Sequence, residues 1–176
     1  SEGLISELHI GLKGTMSALF LKDLADKTRR GLEGRVRQGR SGGGKAYGYR
    51  VLKGDERGGR EIIQEQAKTV NRIFSEFVTG MSPNQIAHGL NNDQVPGPSG
   101  GLWRDTTIRG HIKRGTGILN NELYIGRLVW NRQRYVKNPA TGKRVSRRNG
   151  IDSEVIHDVP HLKIIDDALW QSVKAR

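Results

Sequence analysis

AKTVNRIFSEFVTGMSPNQIAHGLNNDQVPGPSGGLWRDTTIRGHI, residues 67–112, is the stretch that decides the fold. Its apolar side chains recur at helical spacing in three places, which predicts three short helices. The second begins at a Ser-Pro pair, and the third is expected to start at a cap formed by Asp105 or Thr106 and to run through Ile112. Three such helices around a Pro/Gly-rich loop make a compact trihelical unit, which often contains a helix-turn-helix.

Upstream of this unit, apolar residues from Leu12 to Val36 follow helical spacing and predict one long helix, roughly residues 15–39. Its first half is rich in Leu, Phe and Ala and is suited to packing on a core or on a partner helix. Its second half is strongly basic and is expected to project into solvent or onto phosphate. Gly31 and Gly34 each cost about 1 kcal/mol relative to Ala inside a helix. Either the backbone approaches another surface there, or the helix breaks at Gly31.

Short strand-like segments flank the trihelical unit on both sides. A glycine linker at residues 41–44, read as a flexible joint, leads into the first of them, and a turn at residues 138–142 predicts a hairpin. A final helix is capped by Asp166. The predicted fold class is α+β, with a long N-terminal helix, a helix-turn-helix-like trihelical module and a small antiparallel β-sheet. The strand-like segments are residues 46–52, 61–63, 124–136, 143–145 and 154–156.

The charge distribution indicates a polyanionic partner. The 176 residues carry 30 Lys and Arg against 18 Asp and Glu, a formal net charge of +12. Residues 1–50 hold 10 basic and 5 acidic side chains, residues 51–100 hold 5 and 6, and residues 101–176 hold 15 and 7. Two basic ends around a near-neutral middle are typical of a chain whose ends both contact nucleic acid, although a solvated surface is the alternative.

Several classes of chemistry are disfavoured. The absence of cysteine excludes disulfides, thiolate zinc sites, iron–sulfur clusters and a Cys nucleophile. The five histidines are scattered, and Pro160 interrupts the one pair at helical spacing, His157 and His161. No phosphate-binding glycine loop or Gly-x-Ser-x-Gly elbow is present. We therefore predict no cofactor and no metal site. No apolar run approaches the roughly 20 residues that cross a bilayer, so no membrane partner is expected.

The remaining function is binding of nucleic acid, in which cations bind phosphates and helix side chains read base edges. The candidate residues lie on the basic half of the long helix, on the third short helix and at the predicted hairpin, with a solvated face as the alternative. They are Arg29, Arg30, Gly31, Arg35, Arg37 and Arg40; Arg104, Thr106, Thr107, Arg109, Lys113 and Arg114; and Arg132, Arg134, Lys143, Arg147 and Arg148.

Four stretches of the sequence carry a further signal: LADKTRRGL at 24–32, GGKAYGY at 43–49, the helical residues 73–91, and GILNNELYIG at 117–126. Each is weakly specific alone, but their order and spacing are specific, and together they span most of the chain. In this combination they resemble a large serine recombinase, the family of phage integrases and transposon recombinases within the resolvase and invertase superfamily.

The resemblance implies a domain organisation and a mechanism. In this family a serine of an N-terminal catalytic domain attacks a DNA phosphate and forms a phosphoserine bond. A long helix then pairs with its counterpart and crosses the minor groove, and a recombinase domain reads the flanking duplex before a zinc ribbon. Residues 1–40 would be the end of the catalytic domain and the long linker and dimerisation helix. Residues 41–176 would be the recombinase domain, with a trihelical part at about 64–114 and a β-hairpin and C-terminal helix at about 122–176.

The resemblance also implies which partners and contacts to expect. The motif of the nucleophile and the cysteines of a zinc ribbon are absent, so this fragment is expected to bind double-stranded DNA at an attachment or resolution site without cutting it. Lys27, Thr28 and Gly31 would contact the minor groove, although smaller resolvases have Arg where this chain has Lys27. The full-length protein would self-associate through the long helix, in the bacterial cytoplasm or encoded by a phage.

Two other functions remain open from the residues alone. A non-enzymatic helix-turn-helix regulator or architectural protein would use the same basic surfaces. A metal-dependent nuclease is weakly supported because no ligand cluster is evident.

Overall fold

The computed structural model describes residues 2–53 and 58–176 and has the predicted α+β fold. Five α-helices and six short strands alternate with 3-10 turns along these residues. The helices are α1 (Glu2–Arg37), α2 (Gln64–Val78), α3 (Pro83–Asn92), α4 (Asp105–Arg109) and α5 (Asp167–Ala175). The strands are β1 (Tyr49–Val51), β2 (Arg60–Ile62), β3 (Arg127–Trp130), β4 (Gln133–Lys137), β5 (Arg144–Arg148) and β6 (Val155–Asp158).

Helix α1 begins well before the predicted start and continues through Gly31 and Gly34, so it does not break at Gly31. Thr15, the first residue of the predicted range, has a side chain that could cap the start of a helix. In the structure the Thr15 hydroxyl instead donates to the Gly11 carbonyl one turn earlier, at 2.9 Å, which is a contact of a helix interior.

The end of α1 and the first two residues of the glycine linker are packed against the body, in a segment whose composition predicts a flexible joint. Val36 is fully buried, and Gly39 leaves the helix with a φ of 73°. A Cβ at Gly42 would lie 2.6 Å from Cδ1 of Trp130, closer than side chains pack. The buried Ser41 donates its N–H to the Gly58 carbonyl at 2.6 Å. These contacts fix the direction in which the rest of α1 extends away from β3 and β6.

Helices α2, α3 and α4 form the predicted trihelical unit. Ser82 and Gln85 make a capping box at the start of α3, since the Ser82 hydroxyl accepts from the Gln85 N–H and the Gln85 side chain accepts from the Ser82 N–H. At the other end of α3, the amide of Asn91 donates to the Trp103 carbonyl at 3.0 Å and accepts from the Trp103 N–H at 2.8 Å. Trp103 is thereby held in the core beside α4.

Helix α4 is shorter than predicted. It ends at Arg109 because Gly110 adopts a φ of 57° and turns the chain back onto Thr116, where a Cβ at residue 110 would overlap the Thr116 carbonyl. The expected cap is also wrong: Arg104 occupies the N-cap position and makes no capping hydrogen bond through its side chain.

The strands form three separate two-stranded antiparallel ladders, β1 with β2, β3 with β6 and β4 with β5. The segment 124–136, predicted as one strand, divides into a 3-10 turn, β3 and β4, because Asn131 adopts a left-handed φ of 65° between the last two. The predicted hairpin is formed by β4 and β5.

Aromatic side chains join the sheets to the helices in one core. Tyr124 is fully buried and donates its hydroxyl to the Tyr47 carbonyl at 3.0 Å, and Tyr49 donates to the Leu162 carbonyl at 2.7 Å. Burial raises the pKa of both phenols above the ordinary value, so they remain neutral donors. Trp170 of α5 stacks on Phe74 of α2 with ring centroids 5.8 Å apart.

We predict that Gly42→Ala destabilises the fold, because the added methyl group would press on Trp130 and on Val36, 2.8 Å away. The unfolding free energy measured with urea should fall by about 1–3 kcal/mol, as expected for overpacking. Gly150→Ala is the control, since no described atom lies within 4 Å of that Cβ position. An unchanged midpoint for Gly42→Ala would mean that the linker is not packed.

Candidate nucleic-acid interface

Most of the candidate cations fall into three groups, which we name by their elements. The helix surface lies on the second half of α1, the turn surface on α4 and the 3-10 turn that follows it, and the ribbon surface on β4, β5 and their connection. The helix surface comprises Lys27, Arg29, Arg30, Arg35, Arg37 and Arg40. The turn surface comprises Arg104, Arg109, Lys113 and Arg114. The ribbon surface comprises Arg134, Lys137, Lys143, Arg144, Arg147 and Arg148.

The helix surface is exposed apart from the half-buried Arg35, and it is only partly neutralised. Lys27 pairs with Asp23 at 2.8 Å and Arg37 with Glu33 at 2.7 Å, both one turn apart on the exposed helix. Such exposed pairs contribute about 0.3–0.5 kcal/mol each, so an incoming phosphate can replace the carboxylate at little cost. The four other arginines of this surface make no ion pair with any described residue.

Thr28 and Gly31 lie on this same part of α1. The Thr28 hydroxyl donates to the Leu24 carbonyl at 2.8 Å and keeps its lone pairs free to accept a hydrogen bond. No described atom lies within 4 Å of a Cβ built on Gly31 or on Gly34. Packing within the described chain therefore does not explain these two glycines.

The turn surface is divided between two elements, because α4 ends at Arg109. Lys113 and Arg114 lie on the separate 3-10 turn Ile112–Arg114, and both are exposed. Thr106 is exposed on α4, whereas Thr107 is half-buried. Arg109 pairs loosely with Asp105 at 3.3 Å.

Asn120 organises this turn and was not recognised from the sequence. Its buried side chain donates to the Arg109 carbonyl at 2.7 Å and to the Thr116 carbonyl at 3.0 Å, which closes the loop between α4 and the next turn. The available signal was the spacing of Gly110, Gly115 and Gly117, which marks a chain reversal requiring such a clamp.

The ribbon surface adds two cations that the sequence analysis did not select, Lys137 and Arg144. They face each other across the ladder, a relation that follows from strand register and is hidden in the linear sequence. The side-chain amide of Gln133, the first residue of β4, donates to the Arg114 carbonyl at 3.0 Å. The ribbon and turn surfaces are therefore adjacent.

Arg132 has a different environment from the other candidates. Its side chain is 18% exposed and forms an ion pair with Glu122 and a longer one, 3.7 Å, with Glu154. Arg127 also reaches Glu122, and Arg148 reaches Glu154 at 3.4 Å. This cluster ties β3 and the base of the ribbon to neighbouring turns, so Arg132 serves the fold.

Among the residues that the structure describes, no three His, Cys, Asp or Glu side chains are grouped so as to hold a metal ion. A search of the described helices also finds none that is long and apolar enough to cross a membrane.

A family model for the recombinase domain matches residues 64–176, nearly two thirds of the chain. The chain belongs to the recombinase family. The match includes the trihelical unit, the turn surface and the ribbon surface of this recombinase, whereas α1 lies outside it. No curated protein and no solved structure matched the chain. Family membership indicates a role in DNA recombination, with DNA as the partner that such a role requires.

We predict that Arg132→Ala destabilises this recombinase by about 1–3 kcal/mol, because it leaves two largely buried carboxylates with fewer counter-charges. Arg147→Ala is the matched control: Arg147 is exposed and makes no ion pair with the described residues, so its removal should change stability by less than about 0.5 kcal/mol. Urea unfolding of both variants measures the difference. Equal effects would show that the Glu122 and Glu154 cluster contributes nothing to the fold.

Proposed function

We propose that this chain is the DNA-binding portion of a serine site-specific recombinase, which cuts and rejoins duplex DNA through a phosphoserine intermediate. The proposal rests chiefly on one observation: most cations of the helix, turn and ribbon surfaces have no carboxylate partner among the described residues, although acids are available elsewhere in the chain. Clustered, unpaired cations in a recombinase suit the closely spaced phosphates of duplex DNA.

The helix surface would follow the minor groove. Arg29 and Arg30 are fully available for phosphates, and Gly31 removes the side chain that would keep the backbone away from a sugar–phosphate edge. Lys27 would make a looser contact than Arg would, because an ammonium lacks the planar fork that grips a phosphate with two hydrogen bonds.

The turn surface would select sequence. Thr106 and Arg109 are exposed on α4, the third helix of a trihelical unit whose other two helices are buried against the core. This arrangement is typical of a helix-turn-helix, in which residues near the start of the last helix reach base edges. Lys113 and Arg114, on the following turn, would bind flanking phosphates.

The first half of α1 would associate with protein. Leu12, Met16, Leu19, Phe20 and Leu24 are each at least half exposed, a larger apolar surface than an isolated helix normally leaves in water. We infer that this half packs against a second copy of the helix and against the catalytic domain, and that the residues described here supply neither nucleophile nor cofactor.

We expect the purified chain to bind duplex DNA with an affinity that falls steeply as the salt concentration rises. Two substitutions should then distinguish a contact to base edges from a contact to phosphates. The logarithm of affinity should fall with the logarithm of salt concentration by about 0.9 per phosphate contacted. Arg109→Ala should lower affinity for a preferred duplex by about 1–3 kcal/mol more than for random duplex, whereas Arg30→Ala should weaken both equally.

The assay is fluorescence anisotropy on a duplex enriched from a random library and on its shuffled control. A flat salt response would refute the basic-surface argument. Indistinguishable effects of the two variants on both duplexes would show that α4 is not the reader. Strand cleavage by this chain with magnesium would instead support a nuclease.

A further inference from the structure

The β4–β5 ribbon stands apart from the rest of the fold. It pairs with neither of the other two ladders, and most of its residues on both faces are exposed. Residues 133–148 contain six cations and no acid. An isolated two-stranded hairpin is marginally stable in water. This ribbon is paired with no further strand of the described chain and contains no acidic side chain, so we expect its own stability to be low.

The register of β4 and β5 places like charges opposite each other, which destabilises the ribbon further. Arg134 lies directly opposite Arg147, and Lys137 lies directly opposite Arg144. Like charges in directly opposed positions destabilise an antiparallel pair. Two of the five cross-strand pairs therefore repel each other in the free protein.

Little in the described chain neutralises this repulsion. Arg148, at the base of the ribbon, pairs with Glu154 at 3.4 Å. The other five cations make no ion pair with a described residue. A sequence selected only for stability would place Glu or Asp opposite these cations. The placement of cations opposite cations therefore indicates an external partner that carries several closely spaced negative charges.

The two faces of the ribbon differ, because side chains alternate along each strand. Tyr135, Lys137 and Arg144 share one face, and the Arg144 guanidinium lies 4.2 Å from the centre of the Tyr135 ring, which holds it in place. Arg134 and Arg147 share the other face, where Arg134 donates to Asn149 at 3.3 Å.

The ribbon face that bears Tyr135, Lys137 and Arg144 lies next to the turn surface. Gln133 and Tyr135 line the same surface groove as Arg114, and Gln133 is hydrogen-bonded to the Arg114 carbonyl. A duplex that lies along the turn surface therefore meets the face bearing Tyr135, Lys137 and Arg144.

We propose that the ribbon is a second groove-binding element, which lays its Tyr135, Lys137 and Arg144 face in the major groove of the duplex that the turn surface contacts. The major groove admits a two-stranded β-ribbon, and a five-residue strand spans about 17 Å of it at roughly 3.4 Å per residue. Phosphates on the groove walls neutralise Lys137 and Arg144. This inference rests on the proposed function and adds a contact site to it.

The test compares two charge reversals on opposite faces of the same ribbon. Arg144→Glu and Arg147→Glu each create an oppositely charged cross-strand pair, so neither should lower the urea midpoint. Arg144→Glu should weaken binding to a library-enriched duplex at least 30-fold, and Arg147→Glu less than fivefold. Lys68→Glu, at an exposed position on α2, makes the same change in net charge and should have the smallest effect. Arg144→Gln checks that loss of the cation alone weakens binding.

The outcomes separate this inference from the proposed function. Equal losses for Arg144→Glu and Arg147→Glu would overturn the assigned face, and losses no greater than that of Lys68→Glu would overturn the ribbon contact. In both cases salt-dependent binding by the unaltered chain would leave the proposed function standing. No binding by the unaltered chain would overturn both.

Discussion

The packing of Val36 and Gly42 against Trp130 is the constraint on which the rest of the arrangement depends. It joins the last turn of α1 to β3, and the chain leaves β3 directly into the base of the ribbon. The hydrogen bond between Gln133 and Arg114 then connects the ribbon to the turn after α4. This joint and this hydrogen bond help to set the relative positions of the helix, turn and ribbon surfaces.

The cations of this recombinase divide according to their partners. Arg72 bridges Glu76 and Asp93 at 2.7 Å each, and Arg132 lies between Glu122 and Glu154, so both stabilise the fold. The pKa of Arg72 is raised by its hydrogen bonds to the two carboxylates, as expected for a cation held in place by acids. Most cations of the three named surfaces have no such partner among the described residues. The net charge thus indicates a polyanionic partner, and the ion pairs show which cations are already held by carboxylates of the chain.

The sequence predicted the elements whose cause is local. Apolar periodicity located α2 and α3, the Ser82-Pro83 pair marked the start of α3, and Asp166 was confirmed as the cap of α5 through its bond to the Leu169 N–H at 2.7 Å. The division at Asn131 and the end of α4 at Gly110 were missed. Both depend on a backbone φ in the left-handed region, which apolar periodicity does not reveal.

The candidate site was predictable to a similar degree. The basic residues themselves are visible in the sequence, but the role of Arg132 depends on Glu122 and Glu154, which are ten and twenty-two positions away. The opposition of Lys137 and Arg144 requires the strand register. Long-range pairing decides which cations serve the fold, and a linear pattern does not contain that information.

The central claim is that the helix surface and the turn surface contact one duplex at the same time. Because the chain has no cysteine, a single cysteine placed by Asp26→Cys or by His111→Cys can carry a tethered iron chelate that cleaves nearby DNA. Mapping the cuts on a library-enriched duplex is the most direct measurement. The account predicts that both labels cut the same duplex, at positions displaced along it. Cutting from one label, with the DNA left intact by the other, would contradict it.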